Sequence, residues 1–167
     1  MYGLVNRGIQ DLVCSQFGND AWADIKRAPE VDVDEFTAMT AYPDEVTGRL
    51  VVAASARLGL SQTEVLEAFG EYWVLYTAKA GYGDMLKVAG NSFTSVLQNL
   101  DMLHARIGRS FTALTPPSFR CTDITDHSLL LHYVSHRHGL GPLVVGLVRG
   151  DEHHRRAHDL GWQHQLA

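Results

Sequence analysis

The sequence predicts an α+β fold, with a helical N-terminal part followed by a small antiparallel sheet. Three observations carry that expectation. Apolar residues recur at three- and four-residue steps from Val5 to Ile107, the period of helices with one buried face. After Thr115-Pro116-Pro117 the pattern changes to two short strand-like runs with a turn between them. The length of 167 residues, 46% of them hydrophobic, suits one core and is short for two ordinary domains.

Val5, Ile9, Leu12, Val13 and Phe17 share one face of a first helix, and Gly18 ends it as a C-cap. Asn19 or Asp20 can cap a short second helix through Trp22 and Ile25, which stops before Pro29. Residues 31–41 alternate too loosely to assign. Pro43 and Asp44 open a third helix with Val46, Leu50, Val51, Ala54 and Leu58, closed by Gly59. Ser61-Gln62-Thr63-Glu64 is a capping-box pattern, and the helix behind it carries Val65, Leu66, Phe69, Trp73 and Tyr76. Gly81 to Asp84 punctuates, residues 85–89 give a turn or two of helix, and Gly90 stops it. Asn91 or Ser92 then caps a long helix with Val96, Leu97, Leu100, Leu103, His104 and Ile107 on one face. Strands are expected over 119–123 and 129–137, joined by a turn at Thr125-Asp126-His127. A second turn at Gly139 to Gly141 precedes a helical stretch over 143–148.

Composition removes several classes. No uncharged apolar run approaches the roughly 18 residues of a spanning helix, so no membrane partner is expected. A net charge of −5 argues against a general nucleic-acid binder, which presents a basic face. Cys14 and Cys121 make no disulfide framework and no zinc ribbon, and both read as small core residues. The N-terminus lacks a secretory pattern, so a cytoplasmic location is expected. Gly139-x-Gly141-x-x-Val144 lacks the third glycine of a nucleotide loop.

Histidine is the odd entry, because all nine lie at or beyond His104. His104 projects from the apolar face of its helix. It reads either as a core histidine with one hydrogen-bonded nitrogen or as an axial metal ligand, the usual role of a neutral imidazole facing haem iron. Along a strand, Tyr133, Ser135 and Arg137 share one face at two-residue spacing. That triplet reads either as the solvated face of an edge strand or as an acid clamp. In a clamp the guanidinium would grip a carboxylate in a fork while the hydroxyls donate to its other oxygens. Together, an imidazole and an acid clamp suit haem, which has an iron, a broad apolar ring and two propionates.

At these residues the sequence resembles the H-NOX family of haem–nitric oxide/oxygen binding domains, which includes the haem domain of the soluble guanylate cyclase beta subunit. The resemblance runs over residues 1–150. It is carried by Met1-Tyr2-Gly3-Leu4-Val5-Asn6, Phe69-Gly70-Glu71-Tyr72-Trp73, Asn99-Leu100-Asp101-x-Leu103-His104, Pro117 to Asp123 and Tyr133-x-Ser135-x-Arg137. It implies haem b held between the helices and the sheet, with His104 as the proximal ligand and Tyr133, Ser135 and Arg137 on the propionates. Pro117 matches the proline that presses on the porphyrin. Oxygen-binding members carry a distal tyrosine beyond the triplet arginine, whereas the matching position here is Leu143. Trp73 with Leu4 or Val5 adds further apolar wall. The resemblance therefore implies a gas sensor, not an enzyme, that takes nitric oxide and carbon monoxide at ferrous haem and excludes oxygen. Its signal would come from a weakened iron–His104 bond. It would pass to a separate partner, a histidine kinase or a cyclic-di-GMP enzyme.

Family members continue beyond this point with two more sheet strands, which this chain is expected to lack. Residues 151–167 read as a divergent polar tail. His154 and His158, four residues apart, could ligate zinc with Glu152 or Asp159. A zinc hydrolase on that tail, or an interaction module without haem, are the other two function classes. Both would be colourless.

Overall fold

The computed structural model describes residues 1–28, 33–77, 88–90, 92–110 and 113–159, the side chains of 152–159 excepted. Six helices and one two-stranded sheet follow among them: α1 (Gly3–Phe17), α2 (Asn19–Lys26), α3 (Asp44–Leu58), α4 (Gln62–Thr77), α5 (Phe93–Gly108), β1 (Ser118–Thr122), β2 (Leu130–Val134) and α6 (Gly141–Asp159).

Caps set most helix ends. Gly18, at φ 87°, turns the chain out of α1 with its N–H on the Cys14 carbonyl. It also occupies the N-cap of α2, so neither Asn19 nor Asp20 caps that helix. Gly59, at φ 69°, closes α3. Ser61 and Glu64 form the expected reciprocal box on α4, the Ser61 N–H donating to Glu64 at 2.8 Å and the Glu64 N–H to Ser61 Oγ at 3.2 Å. Ser92 caps α5, with Ser95 completing its box.

The unassigned stretch before α3 is neither helix nor strand where it is described, from residue 33 onward. It serves the start of α1. The Gly3 N–H donates to the Thr40 carbonyl at 2.8 Å and the Leu4 N–H to the Ala38 carbonyl at 3.0 Å, while Tyr2 bridges Ala41. Loop carbonyls thus satisfy amides that a helix N-terminus leaves open. Gly3 is required there, because a Cβ would lie 2.1 Å from the Thr37 carbonyl oxygen.

A main core joins α1 to α4 through Val13, Trp22, Ile25, Phe36, Leu50, Val51, Ala54, Val65 and Leu66. Inside it Thr47 of α3 donates to the buried Asn6 of α1 at 2.7 Å. Helix α6 lies along α4 at a close crossing. A Cβ on Gly146 would sit 2.0 Å from the Glu67 carbonyl oxygen, so only glycine fits. Helix α5 has its own small cluster of Ala89, Val96 and Leu103 and leans on the sheet.

The sheet differs from expectation in extent. β1 and β2 are antiparallel, with Ser118 opposite Val134 and Phe119 opposite Tyr133. The second strand stops at Val134, so Ser135 and Arg137 lie past its end. The register would put Pro117 opposite Ser135, and proline has no N–H to extend the ladder. Ser135 Oγ instead accepts the Arg137 N–H at 3.1 Å and bends the chain. At the other end Asp123, at φ 51°, ends β1. The loop that follows is built on Thr125, whose Oγ1 accepts the amides of His127 and Ser128. Helix α6 starts earlier than the expected 143–148 stretch and runs on to Asp159, into the sequence read as a polar tail. The expected turn over 85–89 falls mostly outside the described residues.

Candidate functional site

A cavity of about 540 Å³ separates the helical core from α5 and the sheet, within the range of about 300–1,000 Å³ usual for small-molecule and cofactor sites. The nine candidate residues come from separate elements and all line it. Leu4 and Val5 enter from the first turn of α1, Trp73 from α4 and Leu143 from α6. His104 enters from α5, Pro117 and Tyr133 from the sheet end, and Ser135 and Arg137 from the bend after β2. A side pocket of about 150 Å³ adjoins it at Pro117 and shares His104 and Arg137.

On the α5 side the wall is a chain of contacting rings. His104 stands 5.8 Å from Phe119, and Phe119 stands 5.5 Å from Tyr133. His104 Nδ1 is buried and has no hydrogen-bond partner among the described residues. Burial pushes the imidazole pKa down; the Asp101 carboxylate and the Pro117 carbonyl favour the protonated ring but do not overcome it. The ring is therefore neutral at neutral pH and keeps a nitrogen lone pair, which is the form that binds metal. One turn earlier, Asp101 accepts the Phe119 N–H at 2.7 Å and the Ser118 hydroxyl at 2.8 Å. That carboxylate fastens the helix turn carrying His104 to the first strand.

Arg137 is the cation at the sheet end of this wall, with its side chain only 19% exposed. Its Nε donates to Asp44 at 2.7 Å, and its two terminal nitrogens donate to the carbonyl and hydroxyl of Thr115. These bonds use three of the five N–H donors of a guanidinium. Asp44 also takes the N-terminal ammonium of Met1. Burial alone would raise the Asp44 pKa, but the hydrogen bonds from that ammonium and from Arg137 outweigh it and hold the carboxyl below its usual range.

The opposite wall is apolar. Leu4, Val5, Trp73 and Leu143 face the cavity there, with Trp73 edge-on to Phe69 at 5.7 Å. Thr77 brings a hydroxyl to this wall, but it donates to the carbonyls of Trp73 and Val74 in its own helix. Polar side chains at the α5–α6 end of the cavity are Arg106, Ser110 and Asp151.

Five contributors were missed by sequence reasoning: Asp44, Asp101, Thr115, Phe119 and Tyr2. Tyr2 lines the cavity with its hydroxyl accepting the Ala113 N–H at 3.2 Å. Phe119 alone carried a readable signal, since it alternates onto the face of Tyr133 in the paired strand. Cys14 and Cys121 are half-buried free thiols outside the cavity lining, and burial raises both pKa values. The zinc candidates His154, His158, Glu152 and Asp159 have side chains outside the described residues. Among the described residues no group of His, Cys, Asp or Glu has a metal-holding arrangement, and no helix is long and apolar enough to cross a membrane.

A family model described as haem–NO-binding matches residues 2–155. The soluble guanylate cyclase gcy-35 of Caenorhabditis elegans is 34% identical over 162 residues, which are 95% of this chain and 23% of that protein. The soluble guanylate cyclase gcy-32 of the same organism is 31% identical over 89% of this chain and 22% of its own length. The chain thus spans about a quarter of the length of these relatives. Among solved structures, an H-NOX protein from S. oneidensis in the Fe(II)NO ligation state superposes with a TM-score of 0.80 at 23% identity, over 93% of this chain and 86% of that one. The unliganded Fe(II) H-NOX protein from K. algicida also gives 0.80, at 20% identity, over 93% of this chain and 84% of that one. The helices followed by a small antiparallel sheet are those of the H-NOX fold. The chain belongs to the haem–nitric oxide binding (H-NOX) family, a family of sensor domains and not of catalysts.

Proposed function

We propose that the chain is a haem-based gas sensor that takes nitric oxide and carbon monoxide and excludes oxygen. The observation that supports it is the convergence on one apolar cavity of a neutral imidazole with a buried, unpartnered nitrogen and a nearly buried arginine. Those donors fit haem b: His104 for the iron, the apolar walls for the ring, and Arg137 with Tyr133 and Ser135 for the propionates. Pro117 bounds the cavity beside His104 and would press on the ring.

When bound, haem would supply an iron able to take a diatomic gas, with His104 as the residue that holds the iron. The chain does the rest. Leu4, Val5 and Leu143 offer the gas no hydrogen-bond donor, Thr77 spends its hydroxyl proton on its own helix, and Trp73, which has an indole N–H, is read as supplying bulk against the ring and not a bond to the gas. A donor to a partly charged ligand contributes about 1.5–3 kcal/mol, or roughly 10- to 150-fold in affinity, so its lack penalises oxygen and leaves nitric oxide little affected. A displacement of His104 would move α5 with it, and the Asp101 bonds to Ser118 and Phe119 would carry that shift into β1.

The signal would pass to a separate signalling enzyme, a histidine kinase or a cyclic-di-GMP enzyme, in the cytoplasm. Residues 1–150 would carry the sensor, with 151–167 following on from α6, whose helix runs to Asp159. An absorption spectrum of the purified, reduced protein tests the reading. A Soret band that shifts with nitric oxide and is unchanged in air is expected. A stable oxy spectrum would sink the oxygen exclusion, and a colourless protein with stoichiometric zinc would favour a hydrolase instead. His104→Gly supplied with imidazole should keep its colour and lose its response; an unchanged response would rule out the helix-shift mechanism.

A further inference from the structure

Trp73 is the inner end of a ladder of aromatic rings that leads from the cavity out along α4. Its ring lies 5.7 Å from that of Tyr76, tilted by 32°. Tyr76 in turn lies 6.3 Å from Tyr72, stacked at 29°. Steps of three and four residues on one helix bring the rings onto a shared face. At the outer end the Tyr72 hydroxyl donates to the carboxylate of Asp11 on α1. Packing alone would be served by phenylalanine. A phenol that is easily oxidised, with a base already on its proton, is a more specific arrangement.

The Tyr72 pKa is pushed up to about 12, by burial first and by Asp11 next, with Ser15 pulling the other way. The phenol therefore holds its proton at neutral pH. An oxidised phenol is a far stronger acid, so loss of an electron would send that proton to Asp11. Electron exchange between rings falls off steeply with separation, and both gaps here are of stacking distance.

We propose that Trp73, Tyr76 and Tyr72 form a one-electron path from the cavity to the surface, with Tyr72 as the residue that carries the radical. The proposal rests on the haem reading for its natural oxidant, a haem oxidised by a hydroperoxide. The hydroperoxide takes two electrons from the haem centre and, with two protons, leaves as an alcohol and water. Each electron returned along the ladder comes from Tyr72, while the hydroxyl proton moves to Asp11. The products are a neutral tyrosyl radical and a protonated Asp11 carboxyl. A solution thiol then gives a hydrogen atom to the radical and leaves as a thiyl radical, and Asp11 releases its proton to water. A second thiol returns the second electron in the same way, and the two thiyl radicals pair as a disulfide. The ladder drains oxidising equivalents that would otherwise attack the cavity wall.

The full chain loaded with ferric haem, mixed with hydrogen peroxide and freeze-quenched, should give a tyrosyl signal in electron paramagnetic resonance. Tyr72→Phe should lose most of that signal while its haem spectrum before peroxide is unchanged. Asp11→Asn should lower the radical yield and let the phenol titrate closer to the ordinary tyrosine value of about 10. An undiminished signal in Tyr72→Phe overturns the proposal. Pulse radiolysis of the haem-free chain with the azide radical separates this from the haem reading. A fast step from tryptophanyl to tyrosyl absorbance is expected, and Tyr72→Phe/Tyr76→Phe should abolish it. A wild-type chain without that step, or a double variant that keeps it, refutes the path whether or not haem binds. A step that persists in a chain unable to take up haem leaves the path standing and removes the haem reading alone.

Discussion

The two walls of the cavity are built on different principles. The helical wall rests on a broad buried core in which Leu50 is 0% exposed and α1 to α4 all contribute. The opposite wall, α5 with the sheet, has a buried cluster of three residues, Ala89, Val96 and Leu103. What it lacks in core it replaces with directional bonds: Asp101 onto β1, and Arg137 onto Asp44 and Thr115. Apolar burial is non-directional and fixes a wall cooperatively, whereas a few polar bonds fix a geometry that can be exchanged for another. A sensor needs one wall of each kind. Under the proposed function, the firm wall would select the ligand, and the hinged wall, which carries His104, would report it.

The largest test of that contrast removes core from the firm wall. Leu50→Ala leaves a cavity in the centre of the helical cluster and should cost about 2–5 kcal/mol. Urea denaturation followed by circular dichroism would measure it. The loss should appear as one cooperative shift of the midpoint, because this core spans four helices. A cost of a few tenths of a kcal/mol would mean that the helical wall is as loosely held as its partner.

Asp101→Ala addresses the hinged wall and should act locally. It removes two charge-assisted bonds at an exposed position, so a loss of about 1–2 kcal/mol is expected. Hydrogen exchange is the informative readout. Amides of β1, Phe119 first, should lose protection while those of α1 and α3 keep theirs. An even loss across the molecule would mean that the two walls unfold as one unit and the contrast is only geometric.

The same division governs how much the sequence could reveal. Helix faces, the boxes at Ser61 and Ser92, and the glycine stops at Gly18 and Gly59 are local, and periodicity with capping chemistry exposes them. His104 was legible by its place on a helix face, and the Tyr133-x-Ser135-x-Arg137 triplet by its spacing and family resemblance. Structure set through distant partners was not legible. The loop that serves the amides of Gly3 and Leu4 lies more than thirty residues downstream of them. Asp44 meets Arg137 across 93 residues. The expected strand over 129–137 ends early because its partner position is Pro117, which periodicity along one strand cannot reveal. The histidine count misled for a related reason. A count weighs His104 equally with turn and tail histidines, although what distinguishes it is where its helix face is buried.

The smallest expected effect concerns Asp44, the carboxylate that joins the two walls. Its pKa is held below the ordinary carboxylate value of about 3.9 by bonds from the Met1 ammonium and from Arg137. A carboxyl lowered in the folded state contributes stability above its unfolded pKa and loses that contribution as pH falls through the folded value. The window therefore lies below about pH 4, and neutral pH is outside it. Asp44 is 45% exposed, so solvent screening keeps the contribution small. In urea titrations the wild-type midpoint should fall across that window more steeply than that of Asp44→Asn, whose amide cannot titrate. Above it the two curves should run parallel. The position of the divergence is the test: a difference centred near pH 6.5, the usual histidine range, would mean that an imidazole and not this carboxylate joins the walls. A difference confined to acid would mean that the arginine facing the cavity is held by an internal anion, which a ligand carboxylate must share or displace.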